Sequence, residues 1–222
     1  MTRVKICGLS DLESALAAVE AGADFLGMVF APSSRQVKPE KARLIVEAVK
    51  RSKPHLLVVG VFVNTAAKEV NRIADSCSLD YVQLSGNESW QYCLEIARPI
   101  IKAIHVHKNH PVQDIRAEIE RGYRLLGRER LTGFLDTHSS EAYGGTGQLF
   151  DWGLAKEVSA RFPVIVAGGL TPDNVSKLVR EVRPWGVDVS SGVESGGSKD
   201  ITKIRDFIQA VRSVDKEKIV TR

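Results

Sequence analysis

The stretch VKICGLSDLESALAAVEAGADFLGMVF, Val4 to Phe30, sets the reading of the whole chain. It opens on a short apolar run at residues 4–7, passes through an amphipathic segment at 11–21 and returns to an apolar run at 25–30. Short runs rich in β-branched and aromatic residues favour strands, and an apolar repeat at helical spacing favours a helix. Ser10-Asp11 offers the side-chain oxygen that caps a helix N-terminus, and Gly22 stands where a C-terminal cap belongs. Two strands joined through a helix read as a parallel β-α-β unit.

The same alternation continues outward from this unit. Further strand-like runs lie at residues 56–63, 81–84, 101–106, 133–137, 164–167 and 187–190, with helical segments at 39–51, 66–76, 89–97, 113–121, 151–161, 172–182 and 201–214. Thr171-Pro172 repeats the capping signal, with proline in the first turn. Eight such units predict an α/β protein, a single (β/α)8 TIM barrel over residues 1–222 with 216–222 as a polar tail. An open doubly wound sheet shares the alternation and is the alternative.

Composition narrows the function. The chain has 222 residues, 43% of them hydrophobic, and 31 basic against 27 acidic residues give a net charge of +4. Both signs are scattered, so no basic stripe points to nucleic acid; a mild preference for anionic ligands suffices. No run approaches the roughly 18 apolar residues of a membrane helix, and residues 1–8 lack the pattern of a signal peptide. Cys7, Cys77 and Cys93 are widely spaced without a CxxC pair, so reduced thiols and a cytoplasmic location are expected. Neither membrane nor nucleic-acid partners are expected, and the chain reads as a monomer or a homodimer.

Barrel active sites form at the C-terminal ends of the strands. The first strand ends Lys5-Ile6-Cys7-Gly8, which puts Lys5 and Cys7 on one face. A thiolate there can act as base or nucleophile, and the cation beside it would draw its pKa toward neutrality. An inert buried cysteine is the alternative, and that reading stands for Cys77 and Cys93. The sixth strand ends on Asp136, followed by the glycine-rich segment Tyr143-Gly144-Gly145-Thr146-Gly147. An acid here could protonate a ring or carbonyl oxygen, and the glycines suit a cover over a ligand better than an Asx turn does.

Ala167-Gly168-Gly169-Leu170 and Val189-Ser190-Ser191-Gly192-Val193 end the seventh and eighth strands, where barrels frequently bind phosphate through backbone N–H groups. Gly196-Gly197-Ser198-Lys199 looks like a nucleotide loop but lacks the Walker spacing. Arg35, after the second strand, suits a bidentate bond to a carboxylate. His105 and His107 have strand period-two spacing, but no acidic or thiol ligand accompanies them at metal-like spacing. No metal site is expected.

Taken in order, Val4-Lys5-Ile6-Cys7-Gly8-Leu9, Gly22-Ala23-Asp24-Phe25-Leu26-Gly27, Val61-Phe62-Val63-Asn64, Leu135-Asp136-Thr137, Gly144-Gly145-Thr146-Gly147 with Phe150-Asp151-Trp152, Ala167-Gly168-Gly169-Leu170 and 186–194 cover nearly the whole chain. Together they strongly resemble the phosphoribosylanthranilate isomerases of tryptophan biosynthesis. The resemblance implies a cofactor-free Amadori rearrangement of N-(5-phosphoribosyl)anthranilate, with Cys7 as general base and Asp136 as general acid. It further implies that Gly169, Ser190 and Ser191 hold the phosphate, that Arg35 holds the anthranilate moiety and that Asp188 is a further acid of the site. One position departs from the family pattern: Gln83-Leu84-Ser85-Gly86 carries serine where Gln-Leu-His-Gly is usual. The histidine-pathway aminoaldose isomerase is a rival with the same phosphate end, but it resembles a pair of aspartates where this chain has Cys7. A barrel that binds the ligand without catalysis is a second rival, disfavoured by the presence of both Cys7 and Asp136.

Overall fold

A computed structural model describes residues 1–106, 110–137 and 152–220. Its strands β1 (Arg3–Cys7), β2 (Phe25–Val29), β3 (Leu57–Phe62), β4 (Tyr81–Leu84), β5 (Ile100–Val106), β6 (Leu131–Thr137), β7 (Val164–Val166) and β8 (Gly186–Val189) alternate with helices. These are α1 (Leu12–Ala21), α2 (Pro39–Ser52), α3 (Ala67–Ser76), α4 (Trp90–Cys93), α5 (Val112–Leu126), α6 (Trp152–Ser159), α7 (Pro172–Val182) and α8 (Ile201–Val220). Each strand runs parallel to the next and β8 pairs with β1, so the sheet closes into a barrel rather than staying open. After β8 the chain adds a two-stranded ribbon, β9 (Glu194–Ser195) and β10 (Ser198–Lys199).

The caps form as their residue types dictate. Asp11 Oδ1 accepts from the Ser14 N–H at 2.8 Å, and Gly22 ends α1 in the left-handed region at φ 96°. The Thr171 N–H donates to Asn174 Oδ1 at 2.9 Å at the head of α7. Phe25, Val59, Ile101, Phe134 and Ile165 pack together inside the barrel, while alternate strand residues such as Ile6, Leu26 and Leu135 pack outward against the helices.

Three elements differ from the sequence expectation, each for a local reason. The helix expected at 89–97 shrinks to α4, because beyond Cys93 the chain tightens into i→i+3 bonds. Asn71 then engages the Glu95 carbonyl at 2.8 Å and the Ala97 N–H at 2.9 Å. Helix α5 runs past its expected end at 121, because Gly122 lets it close on Trp90 and Leu131, whose side chains occupy the place of a Cβ. The polar tail expected at 216–222 is a continuation of α8 as far as Val220. Within it Glu217 pairs with Arg180 at 2.9 Å, and just before it Asp215 accepts from the Thr2 N–H at 2.6 Å.

A second set of charges ties the N-terminal end of the barrel. Arg212 donates to the Thr2 and Gly22 carbonyls at 2.6 and 2.8 Å and to Asp24 Oδ2 at 2.7 Å. Asp24 also accepts from Arg3 at 2.9 Å and from the Val4 N–H at 2.8 Å. This clamp leaves the opposite end to carry chemistry. Among the described residues no helix is long and apolar enough to cross a membrane.

Candidate active site

Period-two alternation sends Lys5 and Cys7 to the barrel interior, as the sequence predicts, and register adds what they meet. Lys5 lies beside Asp188 of β8, and Cys7 beside Gly27 of β2. Lys5 Nζ donates to Asp188 Oδ1 at 2.7 Å, the lysine side chain is 0% exposed, and its ammonium lies 5.7 Å from the Phe134 ring centre. A Cβ on Gly27 would sit 2.9 Å from Cys7 Sγ and 3.0 Å from Lys5 Nζ. Thiol and ammonium therefore border the same small space, which only a glycine leaves open.

Burial pushes the Cys7 thiol up; the Lys5 ammonium draws it back, Asp188 pushes it up again, and the net shift is upward. The expectation that the neighbouring cation would bring this thiol toward neutrality is thus corrected, because burial and Asp188 outweigh it. Burial also opposes the Lys5 ammonium, but Asp188 and Cys7 outweigh that and raise its pKa above the usual lysine value. Asp188, expected as a further acid of the site, is itself buried and engaged by Lys5 one layer below the mouth. Burial also raises the other thiols, with Cys93 pushed up to about 11.

Asp136 is half-buried near the end of β6, in register with His105 of β5. It lies two residues beyond Phe134, so alternation turns it inward at the same end as Cys7. Ser85 follows β4 at the mouth, and its Oγ accepts from Gln83 Nε2 at 3.0 Å. His107 and the glycine-rich segment at 143–147 lie outside the described residues. Among the described residues no cluster of His, Cys, Asp or Glu could hold a metal ion.

The strand ends at seven and eight meet the first strand. Ser190 Oγ donates to the Cys7 carbonyl at 3.2 Å, Ser191 is exposed, and nothing lies within 4 Å of a Cβ placed on Gly169. Ser190 therefore lies against the Cys7 backbone, and a side chain at Gly169 would meet open space. Arg35 reaches the same place: a Cβ on Gly8, next to Cys7, would come within 2.7 Å of Arg35 Cδ and 3.1 Å of Ser190 Oγ. Its guanidinium is already engaged, donating through Nε and Nη2 to the two oxygens of Glu194, each at 2.7 Å.

Glu194 and Lys199 are the site residues that sequence reasoning missed. A Gly-Gly pair flanked by extended residues signals a two-residue hairpin, which would have placed Glu194 opposite Lys199.

With this geometry in view, comparison with known proteins is decisive. The family described as N-(5'-phosphoribosyl)anthranilate (PRA) isomerase matches residues 4–210. The chain belongs to this family. The N-(5'-phosphoribosyl)anthranilate isomerase of Dehalococcoides mccartyi is 48% identical over 219 residues, covering 99% of this chain and all of that one. The crystal structure of phosphoribosyl anthranilate isomerase from Thermotoga maritima superimposes with a TM-score of 0.82 at 40% identity, covering 96% of this chain and all of that one. Another, a phosphoribosyl anthranilate isomerase in complex with reduced 1-(o-carboxyphenylamino)-1-deoxyribulose 5-phosphate, gives a TM-score of 0.78 at 38% identity with the same coverage.

Proposed function

We propose that this isomerase converts N-(5'-phosphoribosyl)anthranilate into 1-(2-carboxyphenylamino)-1-deoxyribulose 5-phosphate, in tryptophan biosynthesis, by acid-base chemistry between Asp136 and Cys7. The observation that carries the assignment is the Cys7 thiol at the barrel mouth, backed by the Lys5–Asp188 pair. Asp136 protonates the furanose ring oxygen, and the C1–O bond breaks as the anilino nitrogen lone pair forms the Schiff base. The Cys7 thiolate then removes the C2 proton, and those electrons shift to give an enolamine that tautomerises to the ketone. Thiolate charge is stabilised by the ammonium beneath it, in a water-poor setting where one fixed cation has a large effect.

Binding is assigned to the two flanks. Gly169, Ser190 and Ser191 hold the phosphate, as their open backbone and hydroxyl groups permit, and Arg35 holds the anthranilate carboxylate. Anchoring both ends puts C1 and C2 between acid and base. Three free cysteines support a cytoplasmic setting. A fluorescence assay of phosphoribosylanthranilate consumption by wild type, Cys7→Ser and Asp136→Asn tests the roles. Each substitution is expected to lower kcat by about 10²-fold or more, and full activity in either would overturn the mechanism. The aminoaldose substrate of the histidine pathway, run in parallel, is expected to give no turnover.

A further inference from the structure

We infer that Glu194 is a positioning residue for the reaction: carried on the β9–β10 hairpin, it aims the Arg35 guanidinium at the substrate carboxylate and ties it, through Lys199, to the turn assigned to phosphate. This rests on the roles proposed above for Arg35 and Ser190.

The hairpin is built for this placement. Gly196 and Gly197 have φ of 57° and 82°, so both central residues of the turn are in the positive region that a type I′ hairpin demands. The resemblance of Gly196-Gly197-Ser198-Lys199 to a nucleotide loop thus resolves into a tight turn. Its register sets Lys199 directly across from Glu194, as a cross-strand pair. Lys199 Nζ donates to Glu194 Oε1 at 2.6 Å and to the Ser190 carbonyl at 2.9 Å, while Lys203 Nζ donates to the Glu194 carbonyl at 2.8 Å. The ribbon is therefore held from both sides.

Charge and geometry say what the hub does. The Glu194 side chain is only 10% exposed and meets two cationic side chains, Arg35 and Lys199, so one carboxylate faces two positive charges. The excess is positive and sits beside the backbone of Cys7 and Gly8. Glu194 occupies the Nε–Nη2 edge of the guanidinium, which leaves the Nη1–Nη2 edge for a second planar carboxylate. An arginine stem carries considerable rotamer freedom, and a bidentate partner behind it removes most of that freedom before the substrate arrives.

The experiment compares two inhibitors against wild type, Glu194→Ala, Glu194→Gln, Lys199→Met and Arg35→Ala. One is 1-(2-carboxyphenylamino)-1-deoxyribitol 5-phosphate, and the other is its phenylamino counterpart without the carboxylate. Both Glu194 variants are expected to weaken the carboxylated inhibitor about tenfold, to leave the other within about twofold, and to raise KM more than they lower kcat. Lys199→Met is expected to weaken both inhibitors, because it also frees the Ser190 turn. If Arg35→Ala selectively weakens the carboxylated inhibitor while the Glu194 variants treat both alike, the positioning role falls and the Arg35 assignment survives. If Arg35→Ala itself shows no selectivity, the Arg35 assignment fails and takes this inference with it. Far-UV circular dichroism on each variant separates loss of fold from loss of aim, and Glu194→Gln keeps the test open should Glu194→Ala misfold.

Discussion

Gly27→Ala tests whether the space shared by Cys7 and Lys5 governs activity. The new methyl would lie 2.9 Å from Cys7 Sγ, 3.0 Å from Lys5 Nζ and 3.1 Å from the Cys7 Cα. Carbon contacts are optimal at about 3.5–4.0 Å, so these atoms would have to retreat by roughly 0.5–1 Å. One of them is backbone and the lysine is fully buried, so the strain cannot be absorbed by a flexible side-chain end. Overpacking of this kind costs about 1–3 kcal/mol in stability. A base displaced by about 1 Å costs about 10²-fold in rate. The assay is steady-state kinetics paired with urea unfolding, with Gly133→Ala as control. There the added Cβ meets Val164 Cγ1 at 3.0 Å and Ile119 Cδ1 at 3.5 Å, on the outer face of the wall. Both variants are expected to lose stability, and only Gly27→Ala to lose kcat. Activity in Gly27→Ala within about threefold of wild type would refute the reasoning.

The proposed role of Cys7 as base requires the thiolate, and burial raises its pKa, so kcat/KM is expected to climb with pH beyond the ordinary cysteine value of about 8.5. Replacing Lys5 by Met and Asp188 by Asn together, so that no buried charge is orphaned, should push that limb higher still; an unmoved or lowered limb in a pH–rate profile would contradict the electrostatic role of Lys5. At the other end of the barrel, burial works to raise the pKa of Asp24, but its bonds to Arg212, Val4 and Arg3 outweigh it and hold the carboxyl below the usual range. Its stabilisation is therefore complete above the unfolded value of about 3.9 and is lost as pH falls through the lower folded value. Asp24→Asn should be less stable by roughly 2 kcal/mol at pH 7 and should show a flatter fall of the urea midpoint with acidification, and an unchanged slope would count against the clamp. Ser85→His is expected to alter KM more than kcat, since serine neither titrates near neutrality nor offers an imidazole face. A large change in kcat with KM constant would contradict that.

The sequence by itself determined the order of eight strands and eight helices, because periodicity, caps and turn residues act over a few residues and leave a local mark. Strand β4 and helix α7 fall at the expected residues, 81–84 and 172–182. It also nominated the strand ends to which the chemistry is assigned above, since the fold places every C-terminal end at one mouth. Closure of the barrel, the pairing of Lys5 with Asp188 and the seating of Arg35 on Glu194 needed the tertiary structure. The last two partners lie 183 and 159 residues apart in the chain, and no local pattern reports a contact across that distance. The same holds for the direction of the Cys7 shift, which depends on how deeply the strand end is buried and on Asp188, set against the cation beside it. Residue types set what each group can do, and the closed barrel decides which groups share a space dry enough for their charges to act on one another.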